Sequence, residues 1–111
     1  MTRRADAGLS DMLAAALAQS SQGHYLDIGG GTGNYTIALA AKGGDWVGLD
    51  PAAAMLARAR AKAPSLSWVE ARAEALPFAS GIFDGLTCIL ALHHMADTAV
   101  VFREMARVMR A

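Results

Sequence analysis

The sequence predicts an α/β fold, a mostly parallel sheet covered by helices on both faces, and three stretches carry that expectation. At Tyr25-Leu-Asp-Ile-Gly-Gly-Gly-Thr-Gly-Asn-Tyr35 a short apolar run enters a glycine-rich turn and opens into a helical pattern. Asp45-Trp-Val-Gly-Leu-Asp50 reads as a buried parallel strand ending on an acid, about twenty residues beyond the first glycine. Ile82-Phe-Asp-Gly-Leu-Thr-Cys-Ile-Leu90 is apolar enough to be buried on both faces, as interior parallel strands are. With 111 residues, 54% of them hydrophobic, the chain is sized for one domain with a real core, residues 1–111.

Ser10 or Asp11 can cap a short Ala/Leu-rich helix that runs to about Gln19, is closed by Ser20-Ser-Gln-Gly23, and would cover one face of the sheet. A strand from about His24 to Ile28 then delivers the glycine turn. Tyr35, Ile37, Ala38 and Leu39 belong to a helix stopping at Lys42-Gly43-Gly44, with the lysine near the negative end of its dipole. The strand Asp45 to Asp50 leads into a helix from Ala52 to Lys62, for which Pro51 suits the first helical position. Pro64 ends that helix, and Leu66-Ser-Trp-Val-Glu70 alternates like a strand. Ser80-Gly81 turn the chain into the strand Ile82 to Leu90. Near its start Asp84 is expected to pair with backbone or a neighbouring charge, and Cys88 reads as an inert core residue. Asp97 can cap a last helix, Thr98 to about Arg110. Its Val100, Val101, Met105 and Val108 face the sheet, while Arg103, Glu104, Arg107 and Arg110 stay largely wet.

Composition narrows the partners. Lys+Arg and Asp+Glu both number 10, so there is no basic footprint for nucleic acid or anionic membrane. One cysteine, Cys88, excludes an internal disulfide and any zinc site built on several cysteines, and suits a reducing cytoplasm. Arg3-Arg4 and Met12-Leu-Ala-Ala-Ala-Leu-Ala18 imitate a signal peptide, but Asp6 and Asp11 interrupt the pattern, and no run reaches the roughly 18 apolar residues that span a bilayer. A cytoplasmic location without membrane attachment is expected.

Gly29, Gly31 and Gly33 stand at alternate positions after a strand and before a helix, where backbone can approach a ligand without a Cβ in the way. Their spacing departs from the dinucleotide fingerprint G-x-G-x-x-G, whose third glycine would fall on Asn34. Gly33 also lacks the Lys-Ser/Thr that follows in a phosphate-cradling loop. Asp27, two residues before the first glycine, would repel a pyrophosphate and suits a ligand with an ammonium or sulfonium group.

On these residues the stretch resembles motif I of the class I S-adenosylmethionine (SAM)-dependent methyltransferases, usually V-L-D-I-G-C-G-T-G, with Gly30 in place of the commonest Cys. The resemblance implies a Rossmann-like three-layer sandwich with strand order 3-2-1-4 and SAM as cofactor. It sets the methionine end against Asp27 and the loop Gly29, Gly30, Gly31 and Gly33. It sets the ribose on Asp50, with Pro51 beside it, although Asp50 can alternatively cap the following helix. Ala71-Arg-Ala-Glu-Ala-Leu-Pro-Phe78 resembles the family segment G-D-A-E-x-L-P-F that lies against the adenine, which implicates Arg72, Ala73 and Glu74. Arg72 stands where many relatives carry an Asp that accepts the adenine amino hydrogens. It offers donors only, and it reads either as part of that contact or as an exposed surface charge. An amide N–H at Ala73 needs no particular side chain. Leu76, Pro77 and Phe78 read as pocket or core packing. Phe83-Asp84 with Leu92-His93-His94 resembles motif IV of the small-molecule enzymes, bringing Leu90 to the cofactor. His93 or His94 reads as a general base suited to neutral pH or as a hydrogen-bonded structural residue. Adjacent histidines cannot comfortably face one metal and no third ligand is apparent, so no metal site is expected.

The ending Arg103-Glu-Met-Ala-Arg-Val-Met-Arg-Ala111 resembles the E-x-x-R-V-L-K-P-G-G passage that introduces the family's fifth strand. On that reading the chain is C-terminally short, lacks the family's last strands, and leaves an unpaired apolar edge on its fourth strand. That edge predicts a homo-oligomer joined there or beside it. The expected function is methyl transfer from SAM to a small-molecule acceptor, by alignment of nucleophile, methyl carbon and sulfur with water excluded. One alternative is a non-catalytic SAM-binding module, or a truncated methyltransferase serving as an assembly or regulatory protein. Another is a nucleotide-dependent oxidoreductase, which the glycine spacing disfavours. The L-H-H passage hints at small metabolites such as quinones.

Overall fold

The computed structural model of the chain describes residues 21–88 and 97–110. The expected helix of residues 10–19 lies outside the described residues, as do Leu90, His93 and His94. The architecture follows from the two-residue alternation of β1 (His24–Ile28). Tyr25 points to one face, where it packs with Leu39 and Trp46. Leu26 and Ile28 point to the other and join Leu49, Ala73, Leu76, Phe83, Val101 and Val108. The first face is covered by α1 (Asn34–Ala40), which supplies Leu39, and the second by α3 (Thr98–Val108), which supplies Val101 and Val108. β2 (Asp45–Asp50) pairs in register with β1, so that Tyr25 and Trp46 are neighbours and stack with ring centroids 5.0 Å apart.

α2 (Ala53–Lys62) buries Leu56 and Ala59 against Trp68 of β3 (Ser67–Glu70). With β4 (Gly85–Thr87) the strands make one parallel sheet in the order β3-β2-β1-β4. The Rossmann-like three-layer arrangement and the strand order are those the sequence predicts. No described helix is long and apolar enough to cross a membrane.

Several boundaries differ from expectation. α2 begins at Ala53 with Ala52 as its N-cap, so Pro51 precedes the cap instead of occupying the first helical turn. Asp50 is the cause: its Oδ1 accepts the Ala52 N–H at 2.8 Å, an Asx turn that holds the chain extended there. Asp97, by contrast, caps α3 as expected, accepting from the Val100 N–H at 3.2 Å. Pro77 is exposed, whereas Leu76 is buried and Phe78 meets Phe83 edge to face at 5.0 Å.

β4 is shorter than the strand expected from Ile82, and the reason is Asp84. The His24 N–H donates to Asp84 Oδ2 at 2.8 Å, and Arg110 Nε lies 3.2 Å from Asp84 Oδ1, which bears out the expected backbone and charge partners. Before β4, Phe83 makes an isolated parallel bridge with Met109. The Phe83 N–H donates to Val108 O at 2.9 Å and the Arg110 N–H to Phe83 O at 2.8 Å, so the chain leaving α3 runs beside Phe83.

Candidate functional site

Open parallel sheets place their ligand sites beyond the carboxyl ends of the strands. In this chain that rim is built by the loop after β1, by Asp50 at the end of β2, and by the turn after β3. An apolar hollow of about 310 Å³, lined by His24, Val47, Phe78, Ile82, Phe83 and Arg110, lies instead beside the amino ends of β1 and β4.

The glycines of the loop serve different ends. Gly29 and Gly30 both donate to Leu49 O, at 2.7 and 3.0 Å, folding the loop over the end of β2. Gly33 has φ +87, and a Cβ on it would come within 2.7 Å of Trp68 Cη2, so close packing of the indole demands glycine there. A Cβ on Gly30 would meet Thr36 Oγ1 at 3.0 Å. Gly31, at φ +57, is different: among the described residues a Cβ there would meet nothing within 4 Å, so its backbone borders space that they leave open. Lys62 at the end of α2 reaches back to the loop, donating to Thr32 O at 3.2 Å and Asn34 Oδ1 at 2.9 Å.

Asp27 lies beneath this loop, only 2% exposed. Each carboxylate oxygen accepts one hydroxyl: Oδ2 from Thr36 at 2.5 Å and Oδ1 from Thr87 at 2.8 Å. Burial pushes its pKa from 3.8 up to about 6; the two hydroxyl bonds oppose that rise and the charge of Asp50 adds to it. A carboxylate in this setting ties β1 to α1 and β4, and its charge is uncompensated by any cation among the hydrogen bonds it makes. Burial, and then the nearby Asp27 charge, likewise raise the half-buried Cys88 thiol.

Asp50 holds three backbone groups. Its Oδ2 accepts the Gly31 N–H at 3.0 Å, its Oδ1 the Ala52 N–H, and its main-chain carbonyl the Ala71 N–H at 3.2 Å. One residue thus joins the glycine loop to the 71–80 segment. In that segment Ala75 N–H donates to Arg72 O at 3.1 Å, closing a turn around Ala73. Ala73 is 4% exposed, and its N–H has no partner among the described residues, an exception to the pairing of buried amides. Arg72 has its side chain 70% exposed and lies 3.6 Å from Glu74, the geometry of a surface ion pair.

Thr36, Thr87, Lys62, Glu104 and Arg107 enter the site's framework without having been singled out as site residues from sequence. Thr87 had a legible signal, since parallel register sets it opposite Asp27. Glu104 and Arg107, expected to stay wet, are half-buried against residues 76–80.

Among the described residues these groups fit a cationic adenosyl ligand on three counts: open space over Gly31, a buried carboxylate without a counter-cation beneath it, and an unpaired buried donor at Ala73. Comparison with known proteins agrees. Residues 26–111 match the family described as methyltransferase domain. Over 111 residues the chain is 37% identical to the biotin biosynthesis bifunctional protein BioHC of Cellvibrio japonicus, covering 99% of this chain and 22% of that protein. It is 38% identical over 117 residues to the demethylmenaquinone methyltransferase of Roseiflexus castenholzii, covering 99% of this chain and 48% of the relative. The solved structure of the YcgJ protein from Bacillus subtilis superposes with a TM-score of 0.88 at 27% identity, covering 95% of this chain and 47% of that one. The chain therefore spans less than half the length of each of these relatives. Because the family match runs through the glycine loop, Asp50 and the Ala73 turn alike, the chain belongs to the class I SAM-dependent methyltransferases.

Proposed function

We propose that the chain binds SAM along the rim formed by Gly31, Asp50 and Ala73, and that it serves methyl transfer to a small-molecule acceptor. The observation that carries the reading is the threefold grip of Asp50, which brings to one rim a glycine backbone and a buried N–H, the first open and the second unpaired among the described residues. SAM supplies, when bound, an electrophilic methyl carbon on a sulfonium: the acceptor's nucleophile bonds to that carbon as the carbon–sulfur bond breaks, leaving a neutral thioether.

The protein's contribution is placement. Each Asp50 oxygen takes one backbone N–H, which leaves lone pairs that can accept the two ribose hydroxyls. The Ala73 N–H donates to a ring nitrogen of the base. Asp27 acts from beneath the loop, where a buried negative charge favours the ligand's cationic end without touching it. His93 or His94 takes the acceptor's proton when it carries one. Relatives named demethylmenaquinone methyltransferase and 2-phytyl-1,4-naphtoquinone methyltransferase make reduced naphthoquinones the first acceptors to try.

Calorimetric titration with SAM and S-adenosylhomocysteine tests the site. Gly31→Asn is the control, because asparagine tolerates positive φ and its side chain would project into the open space. Saturable binding by the parent chain, lost in a folded Gly31→Asn variant, is expected. A folded parent chain that binds neither compound would refute the reading. Transfer of labelled methyl from SAM to a reduced naphthoquinone then tests the acceptor class.

A further inference from the structure

Resting on the adenosyl-binding reading above, we infer that Arg107 of α3, together with Glu104, is the positioning residue that sets the Ala73 amide against the base. Arg107 lies 34 positions from Ala73 in sequence and reaches it through the intervening turn. All five N–H donors of its guanidinium have an acceptor. Nε donates to Glu104 Oε2 at 2.7 Å, Nη1 to Phe78 O at 2.8 Å and Ser80 Oγ at 3.4 Å, and Nη2 to Leu76 O at 2.9 Å and Glu104 Oε1 at 3.1 Å. Glu104 Oε1 also accepts the Leu76 N–H at 2.8 Å, so both backbone groups of Leu76 are held by one ion pair. The bond to Arg107, and after it the Leu76 N–H, keep the Glu104 carboxyl below its usual range. The Arg107 main-chain carbonyl accepts the Gly81 N–H at 2.9 Å, closing the far end of the loop.

Leu76 stands three residues after Ala73, across the turn closed by Ala75 N–H and Arg72 O. The other end of that turn is fixed by Ala71 N–H on Asp50 O. Ala73 thus hangs between two anchors, one at the end of β2 and one on α3, with its own N–H left to donate. A core merely needing closure would be served by apolar contacts of Leu76. A planar five-donor fork matched to the carbonyls of Leu76 and Phe78 and to a carboxylate fixes backbone position as well. Lysine cannot reproduce it, because an ammonium offers three donors from a single point.

The test is calorimetry with two ligands that differ in the base, S-adenosylhomocysteine and S-inosylhomocysteine. The purine N1 is an acceptor in the first and carries a hydrogen in the second. The parent chain is expected to prefer the adenosyl ligand. In Arg107→Lys, and independently in Glu104→Gln, the preference should shrink by about fivefold, the worth of one net hydrogen bond. The inosyl affinity should stay close to its parent value. A variant that unfolds is replaced by the other, and thermal melts of both establish which are folded. An unchanged ratio, or equal weakening of both ligands, would mean that Arg107 only supports the fold and would overturn the inference. So would a parent chain that binds both ligands equally. A parent chain that binds neither sinks the adenosyl reading itself, which is a separate outcome.

Discussion

Replacing Asp27 by Asn separates the charge of the buried carboxylate from its shape. The amide is isosteric and keeps an oxygen to accept one hydroxyl, while its nitrogen can donate to the other, so Thr36 and Thr87 both retain a partner. The difference lies in titration. Asp27 has its pKa raised from 3.8 to about 6, so the folded chain holds a proton more tightly than the unfolded chain between those values. Its contribution is fully present below pH 4 and declines as pH rises through 6. At about 1.4 kcal/mol for each pH unit between the two values, ionised Asp27 costs about 3 kcal/mol at neutral pH. Urea unfolding of parent and Asp27→Asn, followed by the fluorescence of buried Trp46 and Trp68, gives the stability of each at pH values from 4 to 8. Taking the difference cancels the titration of the groups that do not feel the Asp27 charge. Asp27→Asn should gain on the parent by about 3 kcal/mol across pH 4 to 7 and then hold that lead. A difference that stays flat, or one that favours the parent as pH rises, would show that Asp27 is not penalised by burial. Should the gain appear together with a loss of SAM affinity, the charge is retained for the ligand at the expense of the fold.

Thr87→Val removes one of the two hydroxyls that lower the Asp27 pKa, so the pH at which the decline in stability levels off, about 6 in the parent, should move upward in the variant; the same urea series measures it. Gly33→Ala and Gly31→Ala place the same methyl group two residues apart with different results. At Gly33 positive φ and the overlap with Trp68 should together cost about 2–5 kcal/mol, whereas at Gly31 the backbone term alone remains, about 1–2 kcal/mol, and thermal melts of the pair should show that order.

The parallel sheet was legible because its strands are short and punctuated. Glycines close the helix before Asp45, Pro64 follows the helix before Ser67, and β1 and β2 match their expected spans residue for residue. The loop's contact with Asp50 was also within reach, since an acid at the end of the second strand must face the end of the first in a parallel pair. What sequence could not apportion was purpose. Gly31 and Gly33 look alike in a motif, yet one borders open space and the other accommodates an indole contributed by Trp68, 35 positions on. Asp27 looked like a ligand contact, but its oxygens are taken by hydroxyls of Thr36 and Thr87, and only burial reveals the energetic cost. Arg107 looked wet because helical periodicity ranks arginine by polarity, and a guanidinium paired to loop carbonyls has no periodic signature.

The same structure decides how loss-of-binding variants must be read. Asp50→Ala is the obvious test of a ribose contact, but it also releases the Gly31 and Ala52 N–H groups from a carboxylate. Hydrogen bonds to a charged group contribute about 1.5–3 kcal/mol each, as much as a ribose hydroxyl would, so the affinity lost by Asp50→Ala mixes ligand contact with loop geometry. Gly31→Asn is cleaner, because it adds bulk where no atom of the described residues stands and leaves the Gly31 N–H able to reach Asp50. A ribose role for Asp50 therefore follows only from a difference between ligands. A 2′-deoxy analogue should lose affinity against the parent chain and lose much less against Asp50→Ala. If the carboxylate serves the loop alone, the two chains should discriminate between the ligands equally.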